Sequence, residues 1–140
     1  MSLVYLLDTN ILSEPAKLKP DEQVMHKLQQ HCTSIATASI VWHELMFGCQ
    51  RLPISHKRSQ LEHYFQDLLH SGLPVLAYTQ TAAIWHAEER ARLTNMGKTP
   101  AFADGMIAAI AHSHELTLVT RNISDFECFS GLRLDNWFSS

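Results

Sequence analysis

Val4-Tyr5-Leu6-Leu7-Asp8-Thr9-Asn10 is an apolar run of strand length that stops abruptly at an acid, a hydroxyl and an amide. A short apolar stretch closed by turn-forming residues reads as a buried strand, here over residues 3–7. Outward from it, the pattern recurs. Residues 34–38 (Ser-Ile-Ala-Thr-Ala), 75–78 (Val-Leu-Ala-Tyr) and 116–120 (Leu-Thr-Leu-Val-Thr) read as further strands, with a short fifth near 132–135. Helical segments alternate with them. Pro15 and Pro20 bracket a loop after a short helical turn. Residues 21–31 form a helix with Asp21 as its cap and Val24 and Leu28 four apart. Ser39 is placed to cap the next helix, which ends near Gly48. Over 59–70, Leu61, Phe65, Leu68 and Leu69 share one face. Over 79–96, Ile84, Ala87 and Ala91 are expected on the inner side and Glu88, Glu89, Arg90 and Arg92 in solvent, with Gly97 as the stop. Pro100 suits the first position of a helix running to about His114.

Strands alternating with helices predict an α/β fold, a parallel sheet of four to five strands flanked by helices. The 140 residues fit one domain, 1–140, with no linker, repeat or low-complexity tract to divide it. In such sheets, sites form beyond the carboxyl ends of the strands, near the point where strand order reverses. Asp8 ends the first strand; Thr120, Asn122 and Asp125 lie at or beyond the end of the fourth.

Hydrophobic residues at 46% and charged residues at 18% are those of a globular chain and exclude disorder. The net charge of −3 argues against a protein that coats nucleic acid. The cysteines, Cys32, Cys49 and Cys128, are odd in number and lack a C-x-x-C spacing, against a disulfide scaffold or structural zinc. The N-terminus has no leader-like pattern and no apolar run approaches membrane-spanning length, so the cytoplasm is the expected compartment, with no membrane role.

The acids are informative by position. Asp8 closes the first strand, Glu44 sits in Ile40-Val41-Trp42-His43-Glu44-Leu45-Met46-Phe47, Asp104 opens Asp104-Gly105-Met106-Ile107-Ala108-Ala109, and Asp125 follows the fourth strand. Ionised carboxylates in apolar surroundings need a compensating cation or hydrogen bonds. Oxygen ligands favour a hard cation, Mg²⁺ or Mn²⁺. Thr9, Asn10, Thr120 and Asn122 adjoin these acids and suit the holding of carboxylate rotamers or of metal-bound water. Singly, each acid has a plainer reading: a helix cap for Asp8, a first-turn acid for Asp104, a turn for Asp125. Glu44, crowded by large apolar neighbours, fits a plain role least.

The pieces Leu7-Asp8-Thr9-Asn10-Ile11-Leu12-Ser13, Ser39-Ile40-Val41-Trp42-His43-Glu44-Leu45 with Gly48, Ala103-Asp104-Gly105-Met106-Ile107-Ala108-Ala109-Ile110-Ala111, and Leu118-Val119-Thr120-Arg121-Asn122 with Asp125-Phe126 together resemble a PIN-domain ribonuclease. The chain looks most like the VapC toxins of bacterial type II toxin–antitoxin pairs, in the FitB-like branch. The resemblance implies a PIN-like three-layer α/β/α architecture and a Mg²⁺-dependent endoribonuclease, with Mn²⁺ as substitute. The implied reaction is hydrolysis of an RNA phosphodiester by metal-activated water, leaving a 5′-phosphate and a 3′-hydroxyl. It implies Asp8, Glu44, Asp104 and Asp125 as catalytic acids, the first three as metal ligands. Many PIN domains carry an acid where Asn122 stands, so Asp125 and Asn122 share that part of the site. It also implies an RNA substrate (tRNA or rRNA), a VapB-type antitoxin partner, contact with operator DNA only through the antitoxin complex, and a homodimer built on residues 59–70 or 79–96. For substrate phosphates the basic candidates are Arg51, Lys57, Arg58, Arg90, Arg92, Lys98 and, foremost, Arg121 between Thr120 and Asn122.

Other chemistries fare worse. His43-Glu44 does not extend to H-E-x-x-H, because Phe47 occupies the second histidine position. His56, His63 and His70 are seven apart, about 10 Å per step along a helix, too far for one metal. No phosphate-binding glycine loop or G-x-S-x-G elbow is present. A phospho-accepting receiver domain would want a late lysine, and none follows Lys98. A catalytically silent binding module with the same fold is separated from a nuclease only by assay.

Overall fold

In the computed structural model, which describes residues 2–139, the first strand becomes the centre of the sheet. The strands β1 (Tyr5–Leu7), β2 (Ile35–Ala38), β3 (Val75–Leu76), β4 (Thr117–Val119) and β5 (Leu134–Asp135) form one sheet in the order β3-β2-β1-β4-β5. All neighbours are parallel; Leu7 pairs with Thr37 on one side and Val119 on the other. Successive strand residues face opposite sides of a sheet. Leu6 and Leu7 are both at 0% exposure, as are Leu118 and Val119, so both faces are covered. This is why the strand sequences are solidly apolar rather than alternating.

Six helices flank the sheet: α1 (Thr9–Leu12), α2 (Glu22–Gln30), α3 (Ser39–Gln50), α4 (His56–His70), α5 (Gln80–Asn95) and α6 (Phe102–Ser113). The most buried is α6, where the run Ile107-Ala108-Ala109-Ile110-Ala111 is enclosed on every side. It rests on β2 and β4 and against both α3 and α5. Small alanines let those helices approach. The chain reverses direction across the sheet at β1: β2 and β3 extend one side, β4 and β5 the other. The carboxyl ends of β1 and β4 therefore flank the switch point, where such folds bind ligands.

Several local expectations hold. Asp21 caps α2 by accepting from the Val24 N–H at 3.0 Å. Gly97 stops α5 in the left-handed conformation (φ 76°), with the Lys98 N–H reaching back to the Leu93 carbonyl. The three cysteines are free. No helix is long and apolar enough to cross a membrane among the described residues.

Other expectations need correction. Ser39 is the first residue of α3, not its cap; Ala38 precedes it and supplies no side-chain bond. Pro100 lies outside α6, which begins at Phe102 after Ala101. The third strand stops at Leu76, where pairing to β2 ends. The faces of α5 are the largest error. Its buried stripe is Ala82, His86, Glu89 and Leu93, while Ile84 is 55% exposed and Ala87 and Ala91 face outward. The cause is electrostatic pairing. Arg92 forks onto Glu89 through two 2.9 Å bonds, and the Ser130 N–H donates to the same carboxylate at 2.7 Å. The Arg92 bonds, despite the cost of burial, hold the Glu89 carboxyl down at about 2. A satisfied charge can be buried, and apolar periodicity cannot register it.

Candidate active site

The apolar run of β1 ends at Asp8, and the chain turns there into α1. Asp8 is its N-cap, accepting from the Thr9 N–H at 2.8 Å. Its other oxygen accepts from the Thr120 hydroxyl at 2.7 Å, a bond across the switch point from the end of β4. The carboxylate is 6% exposed and Thr120 is 0%. Burial pushes the Asp8 carboxyl up from its ordinary value; the Thr120 and Thr9 bonds pull it back, and the Asp125 charge adds to the rise.

The Thr9 hydroxyl donates to Glu44 at 2.8 Å. Thr9 thus ties the first acid to the second through adjacent backbone and side-chain donors. Glu44 is half-buried on α3, which packs against α1. Asp104 stands in the first turn of α6, half-buried. Its carboxyl is raised to about 6, first by burial and then by the charges of Asp125, Asp8 and Glu44. All four acids therefore share one electrostatic field. No basic group is among those shifting Asp104.

Asp125 is exposed, at the end of a single 3-10 turn (Ile123–Asp125) after β4. That turn is set by backbone bonds: the Asn122 N–H donates to the Thr120 hydroxyl at 3.0 Å, and the Asp125 N–H to the Asn122 carbonyl. Asn122 so enters through its main chain. Asn10 accepts the Arg121 N–H at 3.1 Å, which pins this loop to α1. Of the flanking polar residues, Thr9 and Thr120 hold carboxylates, whereas Asn10 and Asn122 hold the loop.

A hard divalent cation can be tested against these donors. The donor atoms are carboxylate oxygens, and burial first, with their like charges adding to it, raises Asp8 and Asp104 from their ordinary value. That is the field a divalent cation reverses. Among the described residues, however, no three His, Cys, Asp or Glu side chains are gathered into a ligand cage. Mg²⁺ does not need such a cage: one or two carboxylates and several waters satisfy it. The donor set fits on those terms.

The basic candidates separate clearly. Arg92 is committed to Glu89 and to the Cys128 carbonyl. Arg58 is held by the Leu52 carbonyl, Gln50 and Glu62. Arg121 is exposed but lies over the Phe138 ring at 4.3 Å. Arg51 lies over the Phe47 ring at 5.4 Å and Arg90 over the Phe102 ring at 5.2 Å. Lys57 and Lys98 are exposed. Phe102, 53% exposed and two residues before Asp104, was missed in the sequence. The available signal was an aromatic beside a site acid, with a basic residue free to stack on it.

Residues 5–127 match the PIN domain family. The chain belongs to the PIN-domain family. The match spans all four acids and both threonines. This PIN domain is 32% identical over 135 residues to a ribonuclease VapC2 of Haemophilus influenzae, covering 96% of this chain and 98% of the relative. It is 34% identical over 129 residues to the toxin FitB of Neisseria gonorrhoeae, covering 88% and 91%. Among solved structures, the DNA-bound VapBC of Salmonella typhimurium superposes with a TM-score of 0.84 at 31% identity, over 96% of this PIN domain and 98% of that chain.

Proposed function

We propose that this PIN domain is the toxin of a bacterial type II toxin–antitoxin pair, a Mg²⁺- or Mn²⁺-dependent endoribonuclease held in check by a VapB-type antitoxin. The single observation that carries the reading is the convergence of Asp8, Glu44, Asp104 and Asp125 on one field, which together with burial pushes the Asp104 carboxyl up to about 6. Such an arrangement is costly for the fold alone and suits a divalent cation. When bound, that ion supplies charge to offset a phosphate and lowers the pKa of water.

Asp8 and Asp104 are the residues that would hold it, with Glu44 completing the acidic wall. Thr120 and Thr9 fix the Asp8 rotamer and keep its carboxyl ionisable despite burial. Thr9 orients Glu44, which can then accept a hydrogen bond from attacking water. Asp125 adds negative charge from the loop rim. Arg121, in the loop after β4, and Arg90, on the Phe102 ring two residues before Asp104, are the candidate RNA contacts, each over an aromatic ring that limits its freedom. Ribonuclease names among close relatives, and their complexes with FitA and VapB, support substrate and partner alike. An apolar groove of about 1080 Å³ between α2 and α4, lined by Leu12, Met25, Leu28, Tyr64 and Leu68, offers the antitoxin a seat. Operator DNA would be met only through that partner. The outward Ile84, Ala87 and Ala91 of α5 suit a homodimer face.

The test is cleavage of a tRNA and rRNA pool with Mg²⁺ or Mn²⁺ by the wild type and by Asp8→Asn. Metal-dependent cuts bearing 5′-phosphates, lost in the variant, are expected. RNA left equally intact by both proteins removes the nuclease reading.

A further inference from the structure

The buried imidazole of His86 has no part in the chemistry above, yet its surroundings lead directly to Asp104. His86 is 2% exposed in the middle of α5. Its Nδ1 meets the Tyr78 hydroxyl at 2.8 Å. Its Nε2 has no hydrogen-bond partner. A ring chosen only to fill space would be apolar, since an unmade bond on a buried polar atom costs stability.

The unpartnered edge of the ring lies on Gly105, the residue after Asp104. A Cβ at Gly105 would fall 2.2 Å from His86 Nε2 and 2.7 Å from its Cδ2. Only glycine admits the ring at that depth. On its other flank the ring meets Phe102 at a centroid distance of 4.9 Å. Phe102 and Gly105 are three apart and both belong to the first turn of α6, the turn that carries Asp104. That turn has no side-chain cap, because Ala101 offers none. Its placement must therefore come from tertiary contact, and the imidazole supplies it. Tyr78, just beyond β3, fixes the ring's orientation in turn.

We propose that His86 is a positioning residue for Asp104: wedged between Phe102 and the bare Cα of Gly105 and oriented by Tyr78, it sets where the Asp104 carboxylate enters the acidic cluster. This rests on the metal reading of that cluster. Positional errors of about 1 Å in a site group are enough to cost a hundredfold in function. A wedge contacting the adjacent residue controls displacements of that size.

The test compares the full chain with Gly105→Ala, His86→Ala and the double variant. Crystal structures give the Asp104 carboxylate position, and electron paramagnetic resonance of free Mn²⁺ gives affinity. Gly105→Ala is expected to displace Asp104 and weaken Mn²⁺ binding by about tenfold or more, because the new methyl must expel the ring. His86→Ala frees the turn and weakens binding as well. In the double variant the methyl occupies space the ring has left, so affinity recovers above that of Gly105→Ala. Folded single variants that keep Asp104 in place and bind Mn²⁺ like the wild type overturn the proposal. Should Gly105→Ala fail to fold, His86→Ala and the double variant, which carry no clash, decide by the same criteria. A wild type that binds no Mn²⁺, with Asp104 still displaced in the variants, sinks the metal reading and leaves the positioning role standing.

Discussion

Replacing Asp104 by asparagine should make the metal-free protein more stable while abolishing its activity. The Asp104 carboxyl stands at about 6 against an ordinary 3.8. A difference of that size penalises the ionised form by about 3 kcal/mol. Asp104 is only half-buried, so solvent screening reduces its effect on folding to about 1–2 kcal/mol. Asparagine keeps the shape and removes the charge, but gives up the acid's attraction to the N-terminus of α6, about 0.5 kcal/mol. The net expectation is a gain of about 1 kcal/mol at pH 8 in chelator.

The sign follows from linkage. A carboxyl raised in the folded state binds more protons there than in the unfolded chain between 3.8 and about 6. The wild type therefore loses stability as pH rises through that window, and the penalty is complete above it. Urea unfolding from pH 4.5 to pH 8 should show the two proteins converging on the acid side and diverging on the alkaline side. Mn²⁺ should reverse the order: saturation at about a hundredfold its Kd stabilises the wild type by about 2.7 kcal/mol, and the variant gains far less. A variant less stable than wild type at pH 8 without metal, or a gap that widens on acidification, would refute the account of mutual carboxylate repulsion.

Three further outcomes can be checked. Thr120→Val removes the hydroxyl that holds Asp8 at 2.7 Å; a buried bond to a charged group is worth about 1.5–3 kcal/mol. Because that bond lowers the Asp8 carboxyl, the acid limb of the cleavage pH profile should move upward along with a lower urea midpoint. Arg92→Ala strips the partner from Glu89, whose carboxyl lies at about 2 against 4.5. The stability that pair provides is present above 4.5 and fades as pH falls through about 2; its loss should lower the denaturant midpoint at neutral pH, with the gap to wild type closing as pH falls through that window. RNA affinity of folded Arg92→Ala should equal wild type, because the side chain is spent on Glu89 and Cys128. Arg121→Ala should weaken RNA binding and lower the salt slope by about 0.7, the share of one single-strand phosphate contact, with Mn²⁺ affinity unchanged.

What the sequence makes legible here, and what it hides, divides by the kind of signal. Buried parallel strands announce themselves because both faces are apolar, so Leu6-Leu7 and Leu118-Val119 stand out and the acids that end them are conspicuous. Strand order is not legible in the same way: only the parallel pairing of β1 with β4 brings Asp8 beside Thr120. The edge strands β3 and β5 are legible in place but not in length: 75–78 and 132–135 read as strands, and pairing covers only Val75–Leu76 and Leu134–Asp135. In α5 the pattern points the wrong way. Its buried stripe carries a histidine and a glutamate, and its exposed face carries Ile84; burial there was decided by Arg92, the Ser130 N–H and the Tyr78 hydroxyl, all supplied by partners outside the stripe. The bonds of the asparagines could not be read from the sequence for a related reason: the Asn10 side chain accepts the Arg121 N–H, and Asn122 uses its own main chain, donating to the Thr120 hydroxyl.

These misreadings share a cause with the site itself. A charge or polar ring can sit where apolar residues belong only if something fixed beside it compensates. At Glu89 the compensation is Arg92, and the carboxyl falls to about 2. At Asp104 burial and the charges of Asp125, Asp8 and Glu44 dominate, and the carboxyl rises to about 6. The buried Glu89 and the half-buried Asp104 are thus shifted in opposite directions, one by an arginine partner and one by burial and neighbouring carboxylates. On the proposed reading, that contrast is what distinguishes an acid paired within the fold from one suited to a cation.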